Sequence, residues 1–215
     1  MKIVSSRLKR SFYSFKTLFL IRCWFVGYYR YLELLLWRIF GRVSSPPLLY
    51  KKFVIENYAK IYCTKVLVET GTYYGDMVEA LRNKFEKIYS VELDSDLYSK
   101  ARWRFSTDPR THLVKGDSGG LLSDVVSELE EPCIFWLDAH YSGGVTTRGA
   151  TDSPIMKELE QISKSNFKNV VLIDDARHFG IFPSYPSVDD LKNFASEYVK
   201  FSKFFVKDDI IRILP

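Results

Sequence analysis

Asp138, Asp174 and Asp175 are the side chains of this 215-residue chain best suited to chemistry. His140 stands two positions after the first of them and His178 three after the last. Clustered carboxylates offer hard oxygen ligands to a divalent cation such as Mg²⁺, leaving octahedral positions for water or a substrate oxygen. An imidazole titrates near neutral pH and suits general-base work; His140 is the first candidate and His178 its rival, or a partner in the outer shell of an ion. Asp138 closes the apolar run Cys133-Ile-Phe-Trp-Leu137, and Asp174-Asp175 closes Val170-Val-Leu-Ile173. If the two runs are neighbouring strands, the three carboxylates surround one point. Successive strand residues point to opposite faces, so one member of the Asp174-Asp175 pair is expected to bind directly. The plainer alternative is an uncoordinated acid at 138, a helix cap at 175 and structural histidines; His112, inside a strand-like run, carries only that structural reading.

These residues need elements to hold them. Short apolar runs at 65–69, 87–92, 112–115, 133–138 and 170–174 predict strands. Helix-like stretches at 76–84, 95–105, 120–129, about 154–164 and 188–198 follow them, the fourth started by Pro154 at a first helical position. Runs at 201–206 and 210–214 around Lys207-Asp-Asp209 predict a C-terminal antiparallel hairpin, with Asp208 and Asp209 solvated in its turn. Such alternation implies an α/β fold with a doubly wound, mostly parallel, seven-stranded sheet covered on both faces. Ligands of such sheets lie beyond the carboxyl ends of the strands. Each of the first five strands delivers an acid to that edge or just past it: Glu69, Glu92, Asp117, Asp138 and Asp174.

The motif Glu69-Thr-Gly71-Thr-Tyr-Tyr-Gly75 follows a strand and opens a helix; a strand-end acid, Glu92, comes 23 residues later, then Gly116-Asp117-Ser118. Over about residues 60–215 this pattern resembles the class I S-adenosylmethionine-dependent methyltransferases, which have a Rossmann-like sheet. The Asp-x-His and Asp-Asp strand ends resemble, within that class, the metal-dependent O-methyltransferases of the macrocin type. The resemblance implies a donor site of Glu69, Gly71, Thr72, Tyr73, Gly75, Glu92, Leu93, Asp117 and Ser118, bordered by Asp138. Glu69 would hold the donor's ammonium, Glu92 its ribose hydroxyls and Asp117 its adenine. Gly71 and Gly75 would let the backbone approach its methionine part. It also implies Mg²⁺, or another divalent cation, on Asp138, Asp174 and Asp175. The expected reaction is transfer of a methyl group to a hydroxyl of a saccharide, a glycan-linked metabolite or another small molecule. A nicotinamide site is disfavoured because the loop lacks the remaining glycines of G-x-G-x-x-G. No Asn-Pro-Pro-Tyr-like tetrad speaks for amide methylation. A polar loop at 141–153, with Arg148, is a candidate lid. Residues 179–186 offer an aromatic wall for a sugar ring or a cover for the sheet edge.

The remaining sequence is a basic arm. Residues 1–42 hold nine Lys/Arg and one acid, Glu33, whereas the rest of the chain carries 22 bases against 25 acids. The overall charge of +5 therefore describes the arm, and the acidic body excludes nucleic acid as the expected partner. The arm's longest stretch free of Lys, Arg, Asp and Glu, residues 23–29, is too short to span a bilayer. Two readings stand beside each other: a basic, aromatic-rich helical arm (1–43) lying on an anionic membrane surface, or helices packed on the main domain or on a second subunit of a homo-oligomer. Ser44-Ser-Pro-Pro47 marks the expected joint with a methyltransferase-like domain at 44–215. Cys23, Cys63 and Cys133 are scattered, which disfavours a disulfide framework or a zinc site and suggests a reducing, cytoplasmic setting. A methyltransferase-like binding protein without turnover and an arm-driven membrane scaffold are the alternatives to an enzyme.

Overall fold

The structure, a computed structural model, describes residues 27–42, 44–139, 153–199 and 201–215. His140, Arg148 and residues 141–152 of the expected lid lie outside the described residues, as do residues 1–26 of the arm. The chain divides into two compact units, residues 1–51 and 52–215. In the first, residues 27–39 form helix α1. Trp37 is buried there; its indole Nε1 donates to the Ser44 carbonyl at 2.8 Å and its ring lies 4.8 Å from that of Tyr50. Helix α2 (Leu48–Tyr62) follows. It has no counterpart among the expected elements, because its apolar residues mark out no clear face and only Val54 and Ile55 are buried.

The second unit is the expected α/β sheet. Strands β1 (Val66–Thr70), β2 (Lys87–Glu92), β3 (Thr111–Lys115), β4 (Cys133–Leu137) and β5 (Val170–Ile173) are parallel, and β6 (Lys203–Lys207) and β7 (Ile210–Leu214) form the antiparallel hairpin. Their order is β3-β2-β1-β4-β5-β7-β6, with β7 antiparallel to β5. Strands β1, β4, β5 and β7 are buried along their whole length, whereas the edge strands β3 and β6 are largely exposed or half-buried. Continuous apolar runs are what a sheet covered on both faces demands.

Helices α3 (Asp76–Leu81), α4 (Ser95–Arg104), α5 (Ser118–Ser127), α6 (Ile155–Ser163) and α7 (Val188–Tyr198) connect the strands. Leu122 of α5, Leu159 of α6 and Leu191 of α7 share one core with Val68, Phe135, Leu137, Val171 and Ile173. The alternate residues Leu67, Ile134, Trp136 and Leu172 are equally buried, so both faces are covered. Two helix starts follow local chemistry. Asp117 caps α5 by accepting from the Gly119 N–H at 3.1 Å, which starts the helix two residues earlier than Gly119-Gly120 suggested. Ser187 and Asp190 close a capping box on α7.

From β1 the chain winds outward to β3, then returns beside β1 to form β4. The direction of winding reverses between β1 and β4, the point beyond whose carboxyl ends sheets of this kind bind ligands.

Candidate functional site

At that point the loops leaving β1 and β4 meet. Gly71 sits at φ +87°, and a Cβ on it would lie 2.6 Å from the Asp138 carbonyl oxygen and 3.2 Å from the Ala139 Cα. Gly75 sits at φ +77°, where a Cβ would meet the Phe105 ring at 2.6 Å. The conformation and the close approach both require glycine. The Asp138 N–H donates to the Thr70 carbonyl at 3.0 Å, which holds the two loops edge to edge.

Glu69 is buried, 2% exposed, at the floor of this region. Its carboxylate accepts from the Ser90 hydroxyl, which also shares a 2.6 Å hydrogen bond with the Thr72 hydroxyl. Burial pushes the Glu69 carboxyl up to about 8; the Ser90 hydrogen bond opposes this, and the nearby acids Asp138 and Glu92 add to it. Glu92, at the end of β2, is gripped from both sides. One carboxylate oxygen accepts from the Tyr73 N–H at 2.7 Å and the other from the Asp94 N–H at 2.8 Å. Burial raises its pKa above the usual carboxylate value, against those backbone donors. Tyr73, at φ 52°, turns its amide toward Glu92. Each Glu92 oxygen keeps acceptor capacity for a further donor. Leu93 is half-buried beside it, Ser118 is buried, and Asp117 uses one oxygen as the α5 cap.

The second cluster lies one strand further along. Leu137 pairs with Ile173, and the Asp174 N–H donates to the Leu137 carbonyl at 3.1 Å. Asp138, Asp174 and Asp175 each present a carboxylate oxygen, and the three atoms lie within 4.8 Å of one another. Both members of the Asp174-Asp175 pair converge, which corrects the expectation that adjacent carboxylates diverge. The strand ends at Ile173, and Asp175 takes the left-handed conformation at φ 53°, which swings its side chain back. Three hard oxygen donors, two of them buried, fit Mg²⁺ or Mn²⁺.

A short 3₁₀ turn, Ala176–His178, follows. Arg177 bonds Asp175 at 2.8 Å and also pairs with the Asp209 carboxylate, which accepts from the Arg177 N–H at 2.8 Å. Asp209 is therefore not a solvated turn residue; it ties the hairpin to the acidic cluster. Sequence reasoning missed both this pair and Ser90. The partners of the first are 32 residues apart, but Ser90 stands two before Glu92 on its strand, where alternation puts it on the same face. His178 is half-buried, with Nδ1 3.9 Å from Asp175, and its ring meets Phe182 and Tyr185 edge-on at 5.0 and 5.7 Å. Phe179 and Tyr185 are buried, while Ile181 and Phe182 are exposed beside them.

No family profile and no curated protein matches the sequence. Solved structures match in fold. An O-methyltransferase from Bacillus cereus in complex with S-adenosylhomocysteine superposes with a TM-score of 0.57 at 14% identity, covering 81% of this chain and 84% of that one. The methyltransferase PaMTH1 from Podospora anserina, bound to S-adenosylhomocysteine, gives 0.53 at 17% identity over 80% of each chain. The O-methyltransferase TomG from Streptomyces achromogenes, in complex with S-adenosylmethionine, gives 0.53 at 13% identity over 76% and 79%. The strand order, the reversed winding at β1 and β4 and these likenesses converge on one architecture: the chain has the fold of the class I S-adenosylmethionine-dependent methyltransferases.

Proposed function

We propose that the chain is an S-adenosylmethionine-dependent O-methyltransferase, assisted by a divalent cation, acting on a hydroxyl of a saccharide or glycan-linked metabolite. The observation that carries this reading is the placement of two acidic sets on one sheet edge: Glu69 and Glu92 by β1 and β2, and Asp138, Asp174 and Asp175 by β4 and β5. Glu92, fixed by two backbone amides, would receive the donor's ribose hydroxyls. Glu69 would face its ammonium, a cation that favours ionisation of this buried carboxyl. Asp117 keeps one oxygen for the adenine amine.

In the transfer the hydroxyl oxygen bonds to the methyl carbon, the sulfonium carbon–sulfur bond breaks, and the hydroxyl proton leaves to a base. A bound Mg²⁺ would lower the pKa of that hydroxyl and stabilise its oxygen as charge develops. Asp138, Asp174 and Asp175 are the ligand set the chain offers it, with Arg177 orienting Asp175. His140 is the first candidate to take the proton, and His178, with Nδ1 3.9 Å from Asp175, is its rival. Exposed Phe182 next to His178 supports a sugar-type acceptor, whose C–H groups can lie on the face of an aromatic ring.

Calorimetry with S-adenosylhomocysteine and paramagnetic titration with Mn²⁺ test the two halves separately. Glu92→Ala should lose S-adenosylhomocysteine binding at least tenfold while keeping Mn²⁺. Asp138→Ala should keep most S-adenosylhomocysteine affinity while losing Mn²⁺. Absence of S-adenosylhomocysteine binding by the intact chain overturns the proposal, and undiminished Mn²⁺ binding by Asp138→Ala removes the metal from it.

A further inference from the structure

Helix α1 turns its apolar side outward. Leu34 and Trp37 are its buried residues. At about 100° per residue, Tyr28, Leu32, Leu35, Leu36 and Ile39 fall on the opposite side within an arc of about 100°, and Phe40 follows the helix. They are exposed, with Leu35 at 53%, Ile39 at 65% and Phe40 at 73%. A helix facing water carries polar residues on its outer face; this one carries the reverse.

The polar residues sit at the margins. Arg38 borders one edge of the apolar arc and Glu33 the other, and Arg42, just past the helix, is exposed. Along the second edge lies a cavity of about 450 Å³ between α1 and residues 44–47, lined by Leu32, Leu36, Trp37, Phe40, Ser45 and Pro47. The apolar surface therefore continues into a slot. The longest stretch of the arm free of Lys, Arg, Asp and Glu is residues 23–29, too short to span a hydrocarbon core, and among the described residues no helix is long and apolar enough to cross a membrane.

We propose that α1 docks in the plane of an anionic lipid bilayer, with its apolar arc at the acyl boundary and Arg38 on lipid phosphates. Charge selects this occupant over a second copy of the chain. Residues 1–42 carry nine bases against one acid, so two such arms laid face to face would repel, whereas an anionic surface attracts each cation. The body of the protein, mildly acidic in sequence, adds no attraction of its own.

The test is co-sedimentation of the full chain with vesicles of equal parts phosphatidylglycerol and phosphatidylcholine, against vesicles of phosphatidylcholine alone. The chain should partition onto the anionic vesicles at least about tenfold more strongly, and added salt should erase much of that difference. Arg38→Gln should weaken partition by about fivefold, in line with one juxtamembrane charge. The double variant Leu35→Glu, Ile39→Glu should weaken it at least about tenfold while leaving S-adenosylhomocysteine affinity at the intact chain's value, a control for folding that is independent of the arm. Equal partition of the double variant and the intact chain overturns the proposal, as does failure of the intact chain to sediment. A self-association seen by light scattering and abolished by the double variant, without vesicle uptake, assigns the face to a second copy and also overturns it.

Discussion

At the scale of single residues, Glu69 is the group whose titration has a measurable consequence. Its carboxyl, ordinarily near 4.5, is pushed up to about 8 by burial. Between those values the folded chain holds a proton that the unfolded chain has released, so stability falls as pH rises through that window. The loss is on the order of 5 kcal/mol once the pH passes 8, at about 1.4 kcal/mol per pH unit. Glu69→Gln keeps a hydrogen-bonding partner for Ser90 but has no proton to lose. Urea unfolding should therefore give the two proteins similar stabilities near pH 4.5, with the variant pulling ahead by several kcal/mol near pH 8. Parallel stability profiles would show that Glu69 keeps its ordinary pKa. Glu69, Glu92 and Asp117 were legible because strand ends are readable from where apolar runs stop. The left-handed turn at Asp175 was not, since nothing in Asp174-Asp175-Ala-Arg dictates a positive φ. That one backbone angle is why both aspartates reach the same point.

At the scale of elements, two contacts decide whether the acidic cluster keeps its shape. The first is the approach of Gly71 to the backbone of 138–139, which a Cβ would enter at 2.6 Å with no side chain able to yield. Gly71→Ala should cost more than the roughly 1–3 kcal/mol of a strained left-handed residue, and should weaken Mn²⁺ binding because Asp138 is displaced. Gly75→Ala has similar backbone strain, but its clash is with the Phe105 ring. It should lower stability in urea and leave Mn²⁺ affinity close to that of the intact chain. The second contact joins the hairpin turn to the 3₁₀ turn. Asp209→Ala removes the carboxylate that receives both the Arg177 N–H and its guanidinium, and should cost about 1.5–3 kcal/mol. The hairpin itself was readable from two apolar runs flanking a charged turn. Its use as a brace was not, because the turn's composition reads as solvated and its partner is far away in sequence. Helix α2 escaped notice for a related reason: without a periodic apolar face, a helix leaves no pattern to detect.

At the scale of the whole molecule, alternation of strand and helix made the sheet's class readable, and the preference for right-handed crossovers left few orders for its parallel strands. The same topology collects like charges. Parallel strands send all their carboxyl ends to one side, so acids that are far apart in the chain become neighbours, and their mutual repulsion opposes folding until cations arrive. Ligands that supply positive charge should therefore stabilise the fold by mass action. On the proposed function, the ammonium of S-adenosylhomocysteine and Mg²⁺ would meet different acids of one rim. At a concentration about a hundredfold above its dissociation constant, each should add about 2.7 kcal/mol, or roughly 5–10 °C in Tm for a domain of this size. Asp138→Ala should erase the Mg²⁺ increment and keep most of the nucleoside's, whereas Glu92→Ala should do the reverse. Together the two ligands should raise Tm by more than either alone and by no more than the sum of their separate effects, since each positive group weakens the acidic field that attracts the other. A combined increment barely above that of either ligand alone would mean that the two ligands compete for the same carboxylates, and that the rim holds one site rather than two.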